Sequence, residues 1–447
     1  MGESGLKSLN IRIHWSTAHV ADDIGLEPEP CGETLGSLSI WAGNQCLTSG
    51  KDRVTGEPRD QVRVAAYPLA RWLCWNWWRL LHEPARLDAR EDLAWMNAHS
   101  LAGIGGGWLW PNITIASEGE TIVLAAWPSH SVPTEPLTHV ATAEVRVPAR
   151  DFEREAERFI QGVVARLDSL GTFGTPLHEA WAEVTATRSN PEVAEYRRLE
   201  ATLGYEFDRA DPDVVERLHA DGLRFGQTAM AEIAAHAPRS GHLPLTGDEL
   251  LAAARERGSP FRGNEAAVWR APKDATTTDG VPWRRGESIA RALRKREKLG
   301  GEALPNRSLA ALCGVAEDTI TGTAGFDHLA FALEDETAEG RIVLRSPWET
   351  ARRFQVARLL ADHLIGVNGD ILHPATGGRT SRQQIQRAFA AQFLCPYESL
   401  VEFLNTDTSE EAMDAAAKYF QVSTRTVTTI LVNKGHLPRE RLPLSPG

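Results

Sequence analysis

The charged side chains of one predicted helix, residues 349–366, are the first candidates for chemistry in this chain. Arg358 and Asp362 are four residues apart and carry opposite charges. Residues at this spacing lie on one face of a helix, so the two side chains are placed to form an ion pair. We therefore predict an ion pair between Arg358 and Asp362.

A histidine follows the pair directly, and its neighbours decide whether it can bind a metal. The helical neighbours of His363 at four residues are Leu359 and Val367, so it lacks a second ligand at the spacing that zinc helices use. A metal centre would have to recruit Asp370 and His373 from the following segment. We instead predict a packed or solvated histidine and no metal or other cofactor.

Arginine is concentrated around these residues, with eight arginines against four acidic residues between positions 341 and 400. The planar guanidinium binds phosphate, nucleic acid or an acidic partner segment through paired hydrogen bonds. The candidates for contact with such a ligand or partner are Arg352, Arg353, His363 and Arg387. The alternative is that the arginines form ion pairs with the acidic N-terminal regions.

The last helical segments have the spacing of a helix-turn-helix. The core positions of such a motif fall on Ala417, Val422, Val427 and Ile430, with Gln421 in the turn. The side chains left to face a DNA groove are Arg425, Thr426, Thr428, Thr429, Asn433 and Lys434. One arginine and one lysine supply few phosphate contacts, and the same fragment can simply complete the preceding domain.

Composition bounds the class of protein. The 447 residues are 42% hydrophobic and 24% charged, which is typical of a globular protein of two to four domains. No apolar run is long enough for a membrane span, and the N-terminus lacks the layout of a secretory signal. Five scattered cysteines without a CxxC pair favour free thiols in the cytoplasm.

Charge is distributed unevenly along the chain, whose net charge is −12. Residues 281–447 hold 21 Lys and Arg against 20 Asp and Glu, whereas residues 1–280 hold 27 against 40. The overall negative charge argues against a dedicated nucleic-acid binder, although a C-terminal basic patch stays possible.

The elements that must position these residues change character along the chain. Residues 1–170 contain ten of the fourteen tryptophans, several strand-like runs and one apolar helix over 65–81, which predicts an α+β domain. The tryptophan row fits core packing or, alternatively, a ligand platform. Short amphipathic helices predict a helical region over 171–272, and the polar segment 273–282 predicts a linker. The remaining pattern indicates mostly helices with a small sheet over 281–407, then the helix pair of 408–447.

The C-terminal part, roughly 281–447, resembles the ImmA/IrrE family of zinc metallopeptidases. The matching residues, in order, are Arg353, Phe354, Ala357, Phe389, Ala390, Ala391, Leu394, Pro396, Phe420, Val422 and Ser423. The resemblance implies a zincin-like fold followed by a short helical domain.

The departure from that family is chemical. In the family, two histidines four apart bind zinc, the glutamate after the first activates water, and a second glutamate on the next helix completes the ligands. The aligned residues here are Arg358, Leu359, Asp362 and Gln383. Arginine has no lone pair to offer a metal, and leucine cannot act as a general base. The resemblance therefore implies a peptidase site without its catalytic residues.

Three functions follow, in the order in which we expect them. The first is a non-catalytic peptidase-like protein that binds a protein partner. By analogy with relatives that act in bacterial regulation, its expected context is stress response, toxin–antitoxin control or phage defence. The second is a DNA-binding transcriptional regulator that uses the C-terminal helix pair. The third is a metallopeptidase with unorthodox ligands.

Overall fold

The computed structural model describes most of the chain. The described ranges are 5–16, 27–85, 92–129, 135–262, 280–323, 325–326, 328–334, 340–365 and 370–442. The predicted linker 273–282 lies outside them except for its last three residues. The chain divides into two compact units, Met1–Glu216 and Arg217–Gly447, which we call unit 1 and unit 2.

The described residues of unit 1 form three small antiparallel sheets. In the first, β2 pairs with β1, β3 and β6; the second has the order β5-β4-β9 and the third β10-β8-β7. The strands are β1 (Leu9–Trp15), β2 (Leu35–Ala42), β3 (Gln45–Cys46), β4 (Gly50–Asp52), β5 (Pro58–Arg59), β6 (Val62–Ala65), β7 (Ile113–Ser117), β8 (Thr121–Ala126), β9 (Leu137–His139) and β10 (Ala143–Pro148). The strand-like runs predicted from the sequence are confirmed in this part of the chain.

Helices of unit 1 pack around these sheets. They are α1 (Pro28–Glu33), α2 (Ala66–Trp75), α3 (Trp77–His82), α4 (Leu93–His99), α5 (Ala149–Leu170), α6 (Pro176–Ser189) and α7 (Pro191–Thr202). A short 3-10 helix covers Leu101–Ile104, and α8 (Pro212–Phe225) contains the boundary with unit 2. The core combines strand residues such as Leu38 and Val64 with Tyr67, Leu73 and Ile160 from the helices.

The prediction of a single helix over 65–81 is wrong in one respect, because the helix is interrupted at Asn76, between α2 and α3. Its backbone leaves the helical region, and its side-chain Nδ2 donates to the carbonyl oxygen of Trp72 at 2.9 Å. Short polar side chains compete in this way with the backbone hydrogen bonds of a helix. The sequence periodicity continues through the break because both helices bury apolar faces.

In unit 2, the described strands form one antiparallel sheet of order β11-β13-β12-β14. Its strands are β11 (Ser259–Phe261), β12 (Ala330–Leu333), β13 (Gly340–Val343) and β14 (Leu372–Ala375). Its helices are α9 (Gln227–Ser240), α10 (Gly247–Arg257), α11 (Pro282–Arg296), α12 (Asn306–Cys313), α13 (Glu317–Thr321), α14 (Glu349–Ile365), α15 (Ser381–Leu394), α16 (Tyr397–Leu404), α17 (Glu410–Phe420) and α18 (Thr424–Asn433). A 3-10 turn follows at Arg439–Arg441.

This division differs from the predicted boundaries. The helical region 171–272 is shared, because α6 and α7 pack on α2 and α3 whereas α9 and α10 pack on β14 and β13. The segment 408–447 belongs to the core of unit 2 through Met413, Phe420 and Leu431. Mixed helices and small antiparallel sheets confirm the α+β class at that level.

Candidate functional site

The predicted site residues of unit 2 lie where α14 packs against α15, beside β14. Asp362 on α14 and Gln383 and Gln386 on α15 are fully buried polar residues. Buried polar side chains are costly unless their hydrogen bonds are satisfied, so their partners define what the site can do.

Arg358 and Gln383 are brought together. Arg358 donates from Nη2 to the side-chain oxygen of Gln383 and to the carbonyl oxygen of Thr376 at 2.7 Å. Gln383 also accepts from the Thr376 amide at 2.9 Å and donates to the Pro374 carbonyl at 3.0 Å. Burial lowers the pKa of Arg358 to about 9, and the repulsion from Arg387 adds to the effect. The side chain of Leu359 packs in the apolar core.

The prediction of an ion pair between Arg358 and Asp362 is wrong, because the Asp362 carboxylate pairs with Arg382 instead. Arg382 donates to both oxygens of Asp362, from Nε at 2.7 Å and from Nη2 at 2.6 Å. Gln386 donates to the same carboxylate at 2.8 Å, and His373 Nδ1 lies 3.0 Å from its Oδ2. A forked guanidinium matches a carboxylate better than a single helical neighbour can. Burial opposes the charged form, yet the charge and hydrogen bonds of Arg382 outweigh it and lower the pKa of Asp362.

Arg382 also connects this centre to α9. Its Nη1 lies 2.8 Å from Asp370 Oδ2 and donates to the Thr228 hydroxyl at 3.0 Å, and that hydroxyl donates to Asp370. Gly226, at a φ of +115°, precedes α9 and leaves no room for a Cβ beside Asp370. Asp370 is therefore an ion-pair partner in the described structure, not a member of a histidine cluster.

A second polar contact joins α9 to the start of α15. The Thr380 hydroxyl donates to the buried Glu232 carboxylate at 2.8 Å. Burial raises the pKa of Glu232, and the positive charge of Arg382 opposes that shift. Asp362, Arg382, Asp370 and Glu232 thus belong to one connected polar network across three helices and β14, which we call the Asp362 network.

Beside the Asp362 network lies a cluster of two histidines and a glutamate. Glu334 Oε1 is 2.8 Å from His363 Nδ1 and 3.1 Å from His373 Nε2. The side chains of Glu334, His363 and His373 are 33%, 13% and 5% exposed, so the cluster opens toward solvent at Glu334. We call these three residues the His–Glu cluster.

The charges of the His–Glu cluster are coupled. Burial raises the pKa of Glu334, but hydrogen bonds from His363 and His373 outweigh it and bring that pKa to about 2. Burial likewise lowers the pKa of His373, but Asp362 and Glu334 on either side raise it to about 9. From the sequence, we grouped His363 and His373 with Asp370 as candidate metal ligands. Glu334 was not predicted, because no spacing rule relates a residue at the end of a strand to a helical residue 29 positions later.

The zinc site of the resembled peptidases does not fit the residues at its aligned positions. Arg358 is cationic and donates only, and the side-chain amide of Gln383 is already bonded to Arg358, to the Thr376 amide and to the Pro374 carbonyl. Both Asp362 oxygens already accept from Arg382 and further donors. No step of a zinc-dependent reaction can be assigned to these positions.

Two of the predicted partner-binding arginines have structural roles instead. Arg352 donates to the carbonyls of Thr319 and Ser346, at 2.6–3.0 Å. Arg353 is fully buried and donates to the carbonyls of Leu304 and Gln421 at 2.6 and 3.0 Å. Their guanidinium groups tie neighbouring segments to α14, because buried carbonyl oxygens require donors. Arg387 is half-buried on α15.

The C-terminal helices have the predicted helix-turn-helix core. Ala417, Val422, Val427 and Ile430 are buried, and Gln421 adopts the left-handed turn conformation between α17 and α18. Arg425 and Asn433 are exposed, and Thr426 and Thr429 are half-buried. The prediction that Thr428 faces outward is wrong, because Thr428 is buried against Met413. Lys434 pairs with Glu287 of α11 at 2.8 Å, so its charge is engaged within the protein.

Unit 1 contains a cavity of about 440 Å³ whose wall includes Trp72, Trp75 and Trp78. Arg197 also lines it, but pairs with Glu200 at 2.8 Å and with Asp208 at 2.6 Å. Trp72 belongs to the core of unit 1, whereas Trp75 is exposed under the guanidinium of Arg71. The ligand-platform alternative for the tryptophans stays a prediction.

Comparisons of the chain with protein-family models, with curated proteins and with solved structures found no match. The resemblance to ImmA/IrrE peptidases therefore stays a prediction that rests on the residues quoted for it. Among the described residues, no helix is both long enough and apolar enough to span a membrane.

Proposed function

We propose that this protein is a non-catalytic, peptidase-like binding protein that acts through a protein partner. The observation that carries this proposal concerns the positions where the resembled peptidases hold zinc. The polar side chains at these positions are hydrogen-bonded to other residues of the protein. Arg358 is bound to Gln383, and Asp362 is bound to Arg382. Most polar atoms of this centre are paired with one another, although Arg358 Nε and Gln386 Oε1 are buried without a hydrogen-bond partner in the described structure. Such a network keeps its shape without a metal.

The surroundings of that centre also favour a non-catalytic role. β14 is the edge strand beside the centre, and all four of its residues are buried. Helix α9 packs against this strand, with Glu232 bonded to Thr380. An extended peptide substrate binds by adding to an exposed strand edge, and a covered edge does not offer those backbone groups.

An exposed tryptophan supplies a surface for the partner. Trp348 stands immediately before α14 and is 75% exposed, the most exposed large aromatic side chain among the described residues. Exposed indoles are enriched at the centres of protein–protein interfaces, where their burial contributes strongly to affinity. We place the partner on this end of α14, and by analogy with the resembled family its role is regulation in bacterial stress response, toxin–antitoxin control or phage defence.

The absence of catalysis is tested with the full chain, an unfolded protein substrate and one equivalent of zinc. We expect no cleavage above the buffer control by gel electrophoresis and mass spectrometry. Cleavage that a chelator abolishes would overturn the proposal.

The binding role is tested by quantitative affinity capture from cells that express the tagged chain, comparing wild type with Trp348→Ala. We expect a partner retained by the wild type and depleted about tenfold or more by Trp348→Ala, as for a hot-spot residue. Phe173→Ala is the matched control, because Phe173 is a 69% exposed aromatic residue of unit 1. Equal capture by all three proteins would contradict the role of this surface.

A DNA-binding regulator is the second candidate, and the helix pair of α17 and α18 favours it. The buried core and the turn at Gln421 match the helix-turn-helix pattern. The acidic residues Glu410 and Glu411 in the first turn of α17 oppose phosphate binding. Duplex binding that weakens steeply with salt and is lost in Arg425→Ala would support this candidate.

A further inference from the structure

We propose that the His–Glu cluster is a binding site for a borderline divalent cation, with Zn²⁺ as the best match. The ligand atoms of Glu334, His363 and His373 all lie within 4.8 Å of one another. Two imidazoles with one carboxylate are a donor set that zinc takes in proteins. This inference does not depend on the proposed binding function.

Three secondary-structure elements hold the donors in place. β12 pairs with β14 so that Ala332 lies opposite His373, and Glu334 follows β12 directly. The Glu334 amide donates to the Ile371 carbonyl at 2.8 Å, which continues the strand pairing past the last ladder residues. His363 comes from the last turn of α14, and its ring meets the His373 ring edge-on at 5.6 Å between centroids.

The distances in the cluster suit a metal at its centre. Zinc lies 2.0–2.2 Å from each nitrogen or oxygen ligand, which separates tetrahedral ligand atoms by about 3.3 Å. Glu334 Oε1 is already 2.8 and 3.1 Å from the two histidine nitrogens. The third separation, between the two histidine nitrogens, is at most 4.8 Å, so a cation requires Glu334 to move outward and the two imidazole rings to adjust around it.

The Asp362 network supplies the second shell that metal-binding histidines require. His373 uses Nε2 toward Glu334 and Nδ1 toward Asp362 at 3.0 Å. A carboxylate on the far nitrogen holds the proton there, so the near nitrogen, Nε2, binds the metal once it has lost its own proton. Arg382 and Gln386 fix Asp362 in turn, so the orientation of His373 is set before any metal binds.

Three protein ligands leave one coordination position open in a tetrahedral site. Glu334 is one-third exposed, so this position faces solvent and can take water or a side chain of a partner. The site differs from that of the resembled peptidases, in which positions 358, 362 and 383 would bind zinc. Here Asp362 serves as a positioning residue for His373 instead of a ligand.

The test uses the full chain after chelator treatment and dialysis. Zn²⁺ is titrated against a chromophoric competitor, and Co²⁺ is added separately to record the visible absorption of a tetrahedral site. We expect one equivalent of bound Zn²⁺ and a tetrahedral Co²⁺ spectrum. Less than about one-tenth of an equivalent, with no such spectrum, would overturn the site.

Variants at the rim of the cluster locate the bound metal. His363→Ala and Glu334→Gln are expected to weaken Zn²⁺ binding at least 100-fold, because each removes one of three ligands. They affect partly exposed side chains, so circular dichroism and the thermal midpoint should stay close to those of the wild type. His436→Ala is the matched control, because it removes an exposed imidazole elsewhere in unit 2. Unchanged binding in His363→Ala and Glu334→Gln would place the metal elsewhere and overturn the proposal.

The outcomes separate this inference from the proposed function. Zinc binding without substrate cleavage supports both. Zinc binding with cleavage that His363→Ala abolishes supports the metal site and overturns the non-catalytic role. Failure to bind zinc, with no cleavage, overturns the metal site alone.

Discussion

Each unit of this protein buries a carboxylate between an arginine and a histidine. In unit 1, Glu83 accepts from Arg79 at 2.6 Å and lies 2.9 Å from His99 Nε2. In unit 2, Asp362 accepts from Arg382 at 2.6 Å and lies 3.0 Å from His373 Nδ1. The same three chemical groups therefore form the polar centre of both units.

The two centres differ in what the histidine meets with its other nitrogen. His99 Nδ1 lies 2.7 Å from the Ile115 carbonyl oxygen, so the unit 1 centre ends in the backbone, and His99 and Glu83 are fully buried. His373 Nε2 instead meets Glu334, a partly exposed carboxylate shared with His363. A centre whose polar groups are all buried stabilises the fold. A centre beside a partly exposed carboxylate and a second histidine can also bind a ligand.

The largest expected effect is at Glu83. Glu83→Gln keeps the side-chain shape but leaves the buried guanidinium of Arg79 without its carboxylate and changes the hydrogen-bond partner of His99. Loss of one partner of a buried ion pair should lower the free energy of unfolding by about 3–5 kcal/mol. Urea denaturation followed by tryptophan fluorescence measures the free energy of unfolding. A decrease of less than about 1 kcal/mol would contradict a structural role for this centre.

Asp362→Asn should have a smaller effect on stability and an additional effect on binding. Arg382 keeps Asp370 as a partner, so we expect the free energy of unfolding to fall by about 2–3 kcal/mol. This is less than the loss expected when a buried charge is left with no partner. Zinc affinity should fall 10–100-fold, because the variant disturbs the second shell of His373. Unchanged zinc affinity in a destabilised variant would show that Asp362 does not position His373.

Acid should weaken the unit 1 centre in a defined pH window. Burial raises the pKa of Glu83, but His99 and Arg79 outweigh it and bring the pKa to about 2. Because the folded value lies below the unfolded one, the stabilisation is present above about pH 4.5 and is lost as pH falls toward 2. The stability difference between wild type and Glu83→Gln should shrink by about 2 kcal/mol from pH 6 to pH 3. A difference that stays constant in paired urea titrations would contradict this linkage.

The smallest expected effect on stability is at His363. Its side chain is 13% exposed and its partner Glu334 is 33% exposed, so His363→Gln should lower the free energy of unfolding by about 1 kcal/mol or less. The corresponding change in unit 1, His99→Gln, should cost about 1–3 kcal/mol, since Glu83 and Ile115 lose a buried partner. Equal losses in the two variants, measured by chemical denaturation, would remove the contrast between the centres.

Local patterns in the sequence predicted much of the secondary structure. The helix that carries Arg358 and Asp362 was predicted over 349–366 and ends at Ile365, because its apolar spacing and its capping residues are local signals. The same holds for the buried positions of α17 and α18. Asn76 shows the limit of periodicity, since one side-chain hydrogen bond divided a helix whose apolar pattern continued.

The amino-acid sequence determined that Arg358 cannot bind a metal and that Leu359 cannot act as a general base, because those limits follow from residue type alone. The tertiary structure alone decided that Asp362 pairs with Arg382 and that Glu334 joins His363 and His373. Strand pairing and helix packing bring together residues that are 20 to 39 positions apart, and such contacts leave no periodic signal in a single sequence.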